Sequence, residues 1–434
     1  MKKIIILLFI TLSLGSLFAK EVTINDAIEG TRLNSISLAI AKEKLEQSLR
    51  SASVLSSYLP NISLTGTATT TGSAITGTFT PLSANVNAGI SWSIGTSLIG
   101  KKESAVIQRT LAELTYSSSA QSVEAAAVSA YLSLARTIVT LDQAQNRVDS
   151  LKDIYSLQVD KFEAGLDSEL SLLEAESSLK KAEYSLKTYE ALYELTLQNF
   201  RALTGIDGDI TLQSFDEIEL LELPSAEELY DKFRNSIIAL KIKDTEAASS
   251  EVQMASTKRS ALAPTVELST GYSASAATTY NTAFSSKLSD DFYVKVSVSI
   301  PITSYIPGSS GDVSVKNAES NVTIAKLKRT QAEQETLSSL SSLINTLESA
   351  EISVLLAEDS LNLSQKTYDL KKEAYDAGLL SLSDFLSAES SLYDASITLE
   401  NEKINYFSQL YSLSQSLGIS KEELINLYGE INNE

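Results

Sequence analysis

Two long stretches of the chain, Lys101 to Glu163 and Val313 to Ala377, contain neither glycine nor proline and are rich in Ala, Leu, Ser, Glu and Gln. Each predicts one uninterrupted helix, roughly 90–100 Å long at ~1.5 Å per residue. Helices of that length exceed ordinary globular needs and imply coiled-coil or tubular packing. The segments that follow show a seam directly. Leu172, Ala175, Leu179, Ala182, Leu186, Tyr189 and Tyr193 alternate steps of three and four, and Phe385, Ala388, Leu392, Ala395 and Leu399 do the same. That is a heptad stripe of large and small residues able to interlock. Gly205 and Gly418 stand where each of these helices would end, and Gly165 and Gly378 where each would turn back from its long predecessor.

Period-two alternation occurs elsewhere. Val86, Ala88, Ile90, Trp92 and Ile94 alternate with Asn85, Asn87, Gly89, Ser91 and Ser93. Phe292, Val294, Val296, Val298 and Ile300 alternate with Tyr293, Lys295, Ser297 and Ser299, which puts Tyr293 and Lys295 on the polar face. Ile62 and Leu64, and Val266 and Leu268, open the preceding strand of each pair. One apolar and one polar face fits a half-buried soluble sheet, and equally a membrane barrel with lipid outside and water inside. Strands of ~9–11 residues suit a tilted bilayer crossing. Four strands cannot close a barrel, and an open edge cannot sit in lipid, so either they pack on a soluble core or several chains share one barrel. Trp92, Tyr272, Phe292 and Tyr293 fit an interfacial aromatic belt or a core.

The chain is duplicated. Ala164-Gly-Leu-Asp-Ser168 returns as Ala377-Gly-Leu-Leu-Ser381, Leu173-Glu-Ala-Glu-Ser-Ser-Leu179 as Leu386-Ser-Ala-Glu-Ser-Ser-Leu392, and Gly205-Ile206 as Gly418-Ile419. All three share one offset without a gap. Tyr58-Leu-Pro-Asn-Ile-Ser-Leu64 answers to Leu262-Ala-Pro-Thr-Val-Glu-Leu268. The expected organisation is a first repeat over 20–206 (helix, two strands, two long helices), an acidic linker over 207–224, a second repeat of the same plan over 225–419, and a tail over 420–434. Residues 1–19, with Lys2 and Lys3 before an apolar run, are expected to be a secretory signal peptide.

Composition narrows the function. There is no Cys and no His, which removes disulfides, thiolate metal sites and the commonest general base. The net charge of -20, more negative still without Lys2 and Lys3, argues against nucleic acid, whose phosphates need Lys and Arg clusters. Beyond the leader no apolar run is long enough for a membrane helix. No phosphate loop, nucleophile elbow or metal-ligand cluster appears, so no catalytic, cofactor or metal residue is assigned. The carboxylate pair Asp290-Asp291 reads as a solvated loop.

Signal peptide, duplicated halves, Leu/Ala-Pro strand entries and the Ala-Gly-Leu-x-Ser turn before a heptad helix, taken in order, resemble the TolC-type outer-membrane efflux family over about Val22 to Ile419. The resemblance implies an α+β fold: a homotrimer whose four strands per chain form a twelve-stranded outer-membrane β-barrel, joined to a long α-helical coiled-coil tunnel in the periplasm. It implies a non-enzymatic exit duct for efflux or type I secretion, with a periplasmic adaptor, an inner-membrane pump and outer-membrane lipid as partners. By the same resemblance Gly165, Leu166, Ser168, Gly378, Leu379 and Ser381 match the adaptor-docking tip, and Asp384 matches an acidic position of the entrance gate. Departures are Ser387 and Ser171 in place of gate acids and Leu380 in place of a basic brace; Glu174 is the candidate substitute for part of that charge. Each Leu can instead cap its own hairpin, and Asp384 can lie on a solvated helix face. A soluble periplasmic coiled-coil scaffold or adhesin is the alternative reading of the whole chain.

Overall fold

The structure is a computed structural model that describes residues 20–52, 59–72, 82–95, 100–208, 210–213, 221–277 and 287–429. The expected signal peptide lies outside them, as do 209 and 214–220 of the linker and 430–434 of the tail. In chain order the elements are β1 (Lys20–Val22), α1 (Ile24–Asn34), α2 (Ile36–Ser51), β2 (Asn61–Thr69), β3 (Ser83–Gly95), α3 (Lys101–Glu163), α4 (Glu169–Thr204), β4 (Ile210–Leu212), α5 (Ala226–Phe233), α6 (Ile238–Leu262), β5 (Thr265–Ala277), β6 (Lys287–Ser299), α7 (Ser310–Asp376), α8 (Leu382–Leu417) and α9 (Lys421–Tyr428). α3 has the bounds that the absence of helix breakers predicts. The linker contributes β4, and the tail contributes α9. The chain divides into two compact units.

The first unit holds Met1–Leu38, Ala120–Leu229 and Ser339–Glu434. One of its cores gathers Val22, Ala27, Val128, Tyr131, Leu134, Leu197, Phe200 and Ile404. Tyr131 ties the short parallel pair β1–β4 to it: its hydroxyl donates to Val22 O at 3.0 Å and accepts from Gln213 N at 3.1 Å. That phenol has a polar partner on each side, which buried hydroxyls need. A second core joins the two helical hairpins, α3–α4 and α7–α8, through Val148, Leu151, Ile154, Ala175, Ala182, Tyr375, Leu382 and Phe385. The heptad stripes turn inward: Ala175, Ala182 and Phe385 belong to this core, and Ala388, Ala395 and Leu399 are buried as well. Small residues at alternate steps let the helices approach while their large neighbours fill the gaps. Tyr375 and Phe385 stack there with centroids 5.1 Å apart.

The second unit holds Ala39–Ser119 and Tyr230–Ser338. Its α6 and α7 are registered by a ladder of surface ion pairs. Lys258–Glu319 and Lys326–Glu251 measure 2.8 Å each, and Arg329 pairs with Asp244. Asp244, Glu251 and Lys258 recur on one face of α6, so the ladder fixes alignment although each exposed pair contributes little.

The unit's sheet is antiparallel in the order β2-β3-β5-β6. Its register makes rows of direct neighbours. Leu64, Ala88, Tyr272 and Phe292 form one apolar row, and Ile62, Ile90, Thr270 and Val294 the next. Ser63, Gly89, Gly271 and Tyr293 lie on the opposite face. Every strand therefore puts its apolar positions on the same side. The apolar side is open in the single chain: Leu64 is 76 % exposed and Val294 64 %. The sheet is thus not packed on a soluble core through that face. Asp290 and Asp291, read above as a loop, lie inside β6. Pairing with Ala274 and Ser273 carries the strand past them, a non-local bond pattern that overrides the weak strand preference of aspartate. Asp290 shares the apolar face, where its carboxylate accepts a 3.0 Å bond from the Tyr272 hydroxyl.

Candidate functional site: paired turns, buried fastenings and a two-faced sheet

The turns joining α3 to α4 and α7 to α8 have the same build. Gly165 N–H bonds to Phe162 O at 2.9 Å and Leu166 N–H to Lys161 O at 2.8 Å. In the second copy Gly378 N–H bonds to Tyr375 O at 3.0 Å and Leu379 N–H to Ala374 O at 2.8 Å. This is the Schellman pattern, with the glycines left-handed at φ 70° and 72°. A β-carbon at either glycine would meet nothing within 4 Å, so backbone conformation and not space demands glycine. The apolar residue after such a glycine usually folds back onto the helix it ends. Here Leu166 is 79 % exposed and Leu379 82 %. Neither leucine is used to close its own hairpin.

Ser168 and Ser381 cap the next helices, accepting from Ser171 N at 3.2 Å and Asp384 N at 3.2 Å. Asp384 answers its cap, its carboxylate taking a 2.6 Å bond from the Ser381 hydroxyl. It is exposed, and Lys371 Nζ donates to its backbone carbonyl at 3.4 Å. Glu174, half-buried on α4, shares no hydrogen bond or ion pair with Asp384. The first copy replaces the acid with Ser171, whose hydroxyl meets that of Ser168 at 3.0 Å. An acid does stand nearby: Asp167 is held below the ordinary aspartate value, first by the Gln158 amide, then by the Ser168 N–H, the Ser171 hydroxyl and the charge of Lys161. Gln158 Nε2 itself is buried and makes no hydrogen bond of good geometry.

Sequence reasoning missed two links between the hairpins. Tyr375 Oη donates to Gln158 Oε1 at 2.7 Å inside the core, while Lys161 Nζ lies 4.1 Å from the centroid of the same ring. Further along, Arg147 reaches Glu389 at 3.5 Å, donates to Ser390 at 3.0 Å and stacks 4.4 Å over the Tyr393 ring. These line a cleft of about 510 Å³ with Lys181, Tyr189 and Asp394. Burial pushes the Glu389 carboxyl up, and Arg147 opposes that shift. Polar residues within an apolar seam were the available signal, since Gln158 and Glu389 interrupt otherwise aliphatic stripes.

On the sheet, Tyr293 and Lys295 project from the polar face, as the alternation predicts, opposite Phe292 and Val294. Among the described residues no helix is long and apolar enough to cross a membrane, and no group of three or more His, Cys, Asp or Glu could hold a metal ion. The architecture therefore offers two matched turns, charged positions beside them and a sheet with one face suited to lipid.

Known proteins share this design. The chain superposes on CusC with a TM-score of 0.74 at 14 % identity, covering 93 % of this chain and 96 % of that one. It superposes on VceC of Vibrio cholerae with 0.71 at 16 % identity (92 % and 96 % covered), and on the Campylobacter jejuni channel CmeC with 0.73 at 17 % (93 % and 88 %). At such identities the likeness establishes the fold alone. No curated protein matches by sequence. The sequence profile described as outer membrane efflux protein matches residues 27–206 and again 241–419, one match for each copy of the duplication. The chain belongs to the outer membrane efflux protein family, a channel of the outer membrane and not an enzyme.

Proposed function

We propose that three copies of this chain close a single twelve-stranded barrel and serve as the exit duct of a tripartite efflux or type I secretion system. The observation that carries this is the register of the sheet: apolar positions of all four strands share one open face. Among the described residues, β2 and β6 each have a partner on one side only. In lipid both edges must be paired, and pairing β6 of one chain with β2 of the next satisfies them without further strands. The polar face, with Tyr293 and Lys295, then lines the lumen.

In this reading Gly165, Leu166, Ser168, Gly378, Leu379 and Ser381 form the tip that a periplasmic adaptor grips. The support is the exposure of both leucines in turns whose capping pattern normally covers them. Asp384, with Glu174 as a secondary charge, lines the entrance; repeated by three-fold symmetry it makes an acidic ring that favours cations. The inner-membrane pump supplies the energy. Repeats over 20–206 and 225–419, the linker over 207–224, the tail over 420–434 and a cleaved leader over 1–19 complete the proposed organisation.

The test is the detergent-corrected mass of the protein taken from a separated outer-membrane fraction. A trimer there supports the shared barrel. A soluble monomer or dimer would sink it.

A further inference from the structure

One row on the polar face of the sheet is built differently from the others. Ser63, Gly89, Gly271 and Tyr293 are direct neighbours on β2, β3, β5 and β6, so its two middle positions carry no side chain. Tyr293 covers the space. A β-carbon added to Gly271 would lie 2.7 Å from the Tyr293 hydroxyl oxygen, 2.8 Å from Cζ and 2.9 Å from Cε1. Contact with three consecutive atoms at the far end of the side chain means that the ring lies down across the Gly271 backbone. It does not stand up from the sheet. The hydroxyl extends towards Gly89, where an added β-carbon would meet it at 4.0 Å and Ser63 Oγ at 3.6 Å, ordinary contacts. Gly89 therefore tolerates a methyl group as the sheet stands, whereas one at Gly271 requires the Tyr293 ring to move.

Gly271 is not among the glycines with positive φ, so its backbone would accept any residue. Close approach is what requires glycine, one of the recognised reasons for finding it inside a strand. An aromatic ring laid over a strand glycine also shields backbone that would otherwise be bare, and helps pin the register. The contrast along β6 is direct: Tyr293 is 44 % exposed and its neighbour Phe292, on the apolar face, 73 %.

We propose that Gly271 is the seat that stows Tyr293 against the barrel wall, and that this seat sets the free bore of the duct at its height. The proposal rests on the barrel reading above, in which the polar face is lumenal. Tyrosine is the largest side chain on that face of β6, and three-fold symmetry places three copies at one level. Stowed, the rings are part of the wall. Lifted, they converge on the axis.

The experiment uses full-length trimers in planar bilayers, with polyethylene glycols of graded size added on the extracellular side alone. The largest polymer that still alters conductance then reports the barrel half of the duct. Gly271→Ala is expected to shift that cut-off to smaller polymers, and Gly271→Ala with Tyr293→Ala to restore at least the wild-type size. An assembled Gly271→Ala trimer with an unchanged cut-off overturns the proposal. If Gly271→Ala alone does not assemble, assembly of the double variant supports the ring–glycine contact. Failure of both overturns it, because Gly271 would then serve the sheet itself. Absence of a trimeric channel in the wild type would fall on the barrel reading and is settled before any variant is made.

Discussion

Tyr375, near the end of α7, donates a hydrogen bond from its hydroxyl to the buried side-chain oxygen of Gln158 on α3, 2.7 Å away. The two residues belong to different copies of the duplicated hairpin, yet neither has its counterpart in the other copy. The bond joins the hairpins beside the Tyr375–Phe385 stack, which ties α7 to α8 within the second of them.

Tyr375→Phe leaves Gln158 Oε1 buried without its donor and is expected to cost about 1–3 kcal/mol. Gln158→Met together with Tyr375→Phe removes both polar partners and is expected to recover much of that loss. Chemical denaturation of the four proteins in one detergent measures the coupling. A double variant whose loss equals the sum of the two single losses would mean that the bond contributes nothing.

Leu166→Asn and Leu379→Asn exchange exposed apolar groups for polar ones beside an intact glycine turn. Stability is expected to move by less than about 0.5 kcal/mol, the range of ordinary surface changes. If the tip docks an adaptor as proposed, export and cross-linking to that adaptor are expected to fall sharply in the double variant. Normal export with both leucines replaced would remove the tip from the docking surface.

Asp384→Asn removes a charge at the first turn of α8 and should cost no more than about 1 kcal/mol through the helix dipole. If Asp384 lines the entrance, the cation-to-anion permeability ratio falls with it. Ser381→Ala is the control: it takes away the helix cap, worth about 1 kcal/mol, and keeps the carboxylate. Reversal potentials in a salt gradient separate the two variants.

Burial, the first cause in each case, pushes the phenols of Tyr131, Tyr393 and Tyr411 up to about 12. An unfolded tyrosine titrates near ~10. Over that interval the folded state keeps protons that the unfolded chain has lost, so stability falls as pH rises from the lower value to the higher. Below it the three groups make no pH-dependent contribution. Absorbance titration should show these tyrosines ionising after the exposed ones, and Tyr393→Phe should remove one late proton. A single ionisation step near the unfolded value would contradict their burial.

Much of this architecture is local and so was legible in the chain. An unbroken run without glycine or proline determines α3, and positive-φ glycines place the turns and caps at Gly165, Gly205, Gly378 and Gly418. Alternation identifies the two faces of β3 and β6. What escaped depends on partners far away in sequence. The Gln158–Tyr375 and Arg147–Glu389 links require knowing which hairpin faces lie together. Asp290 and Asp291 were lost to a loop because only their β5 neighbours reveal the strand. The exposure of Leu166 and Leu379 was equally invisible, since the same letters would describe a leucine folded back on its helix.

The unpaired edges of β2 and β6 also govern how the protein can be made. A solitary chain presents a greasy wall to water and two unquenched backbone seams to lipid, so neither phase is a comfortable solvent for it. If the barrel is shared as proposed, insertion waits until the chain meets its siblings. Biogenesis is then a collective act whose yield rises with local chain density, and a solitary chain is the species most exposed to proteases and to aggregation.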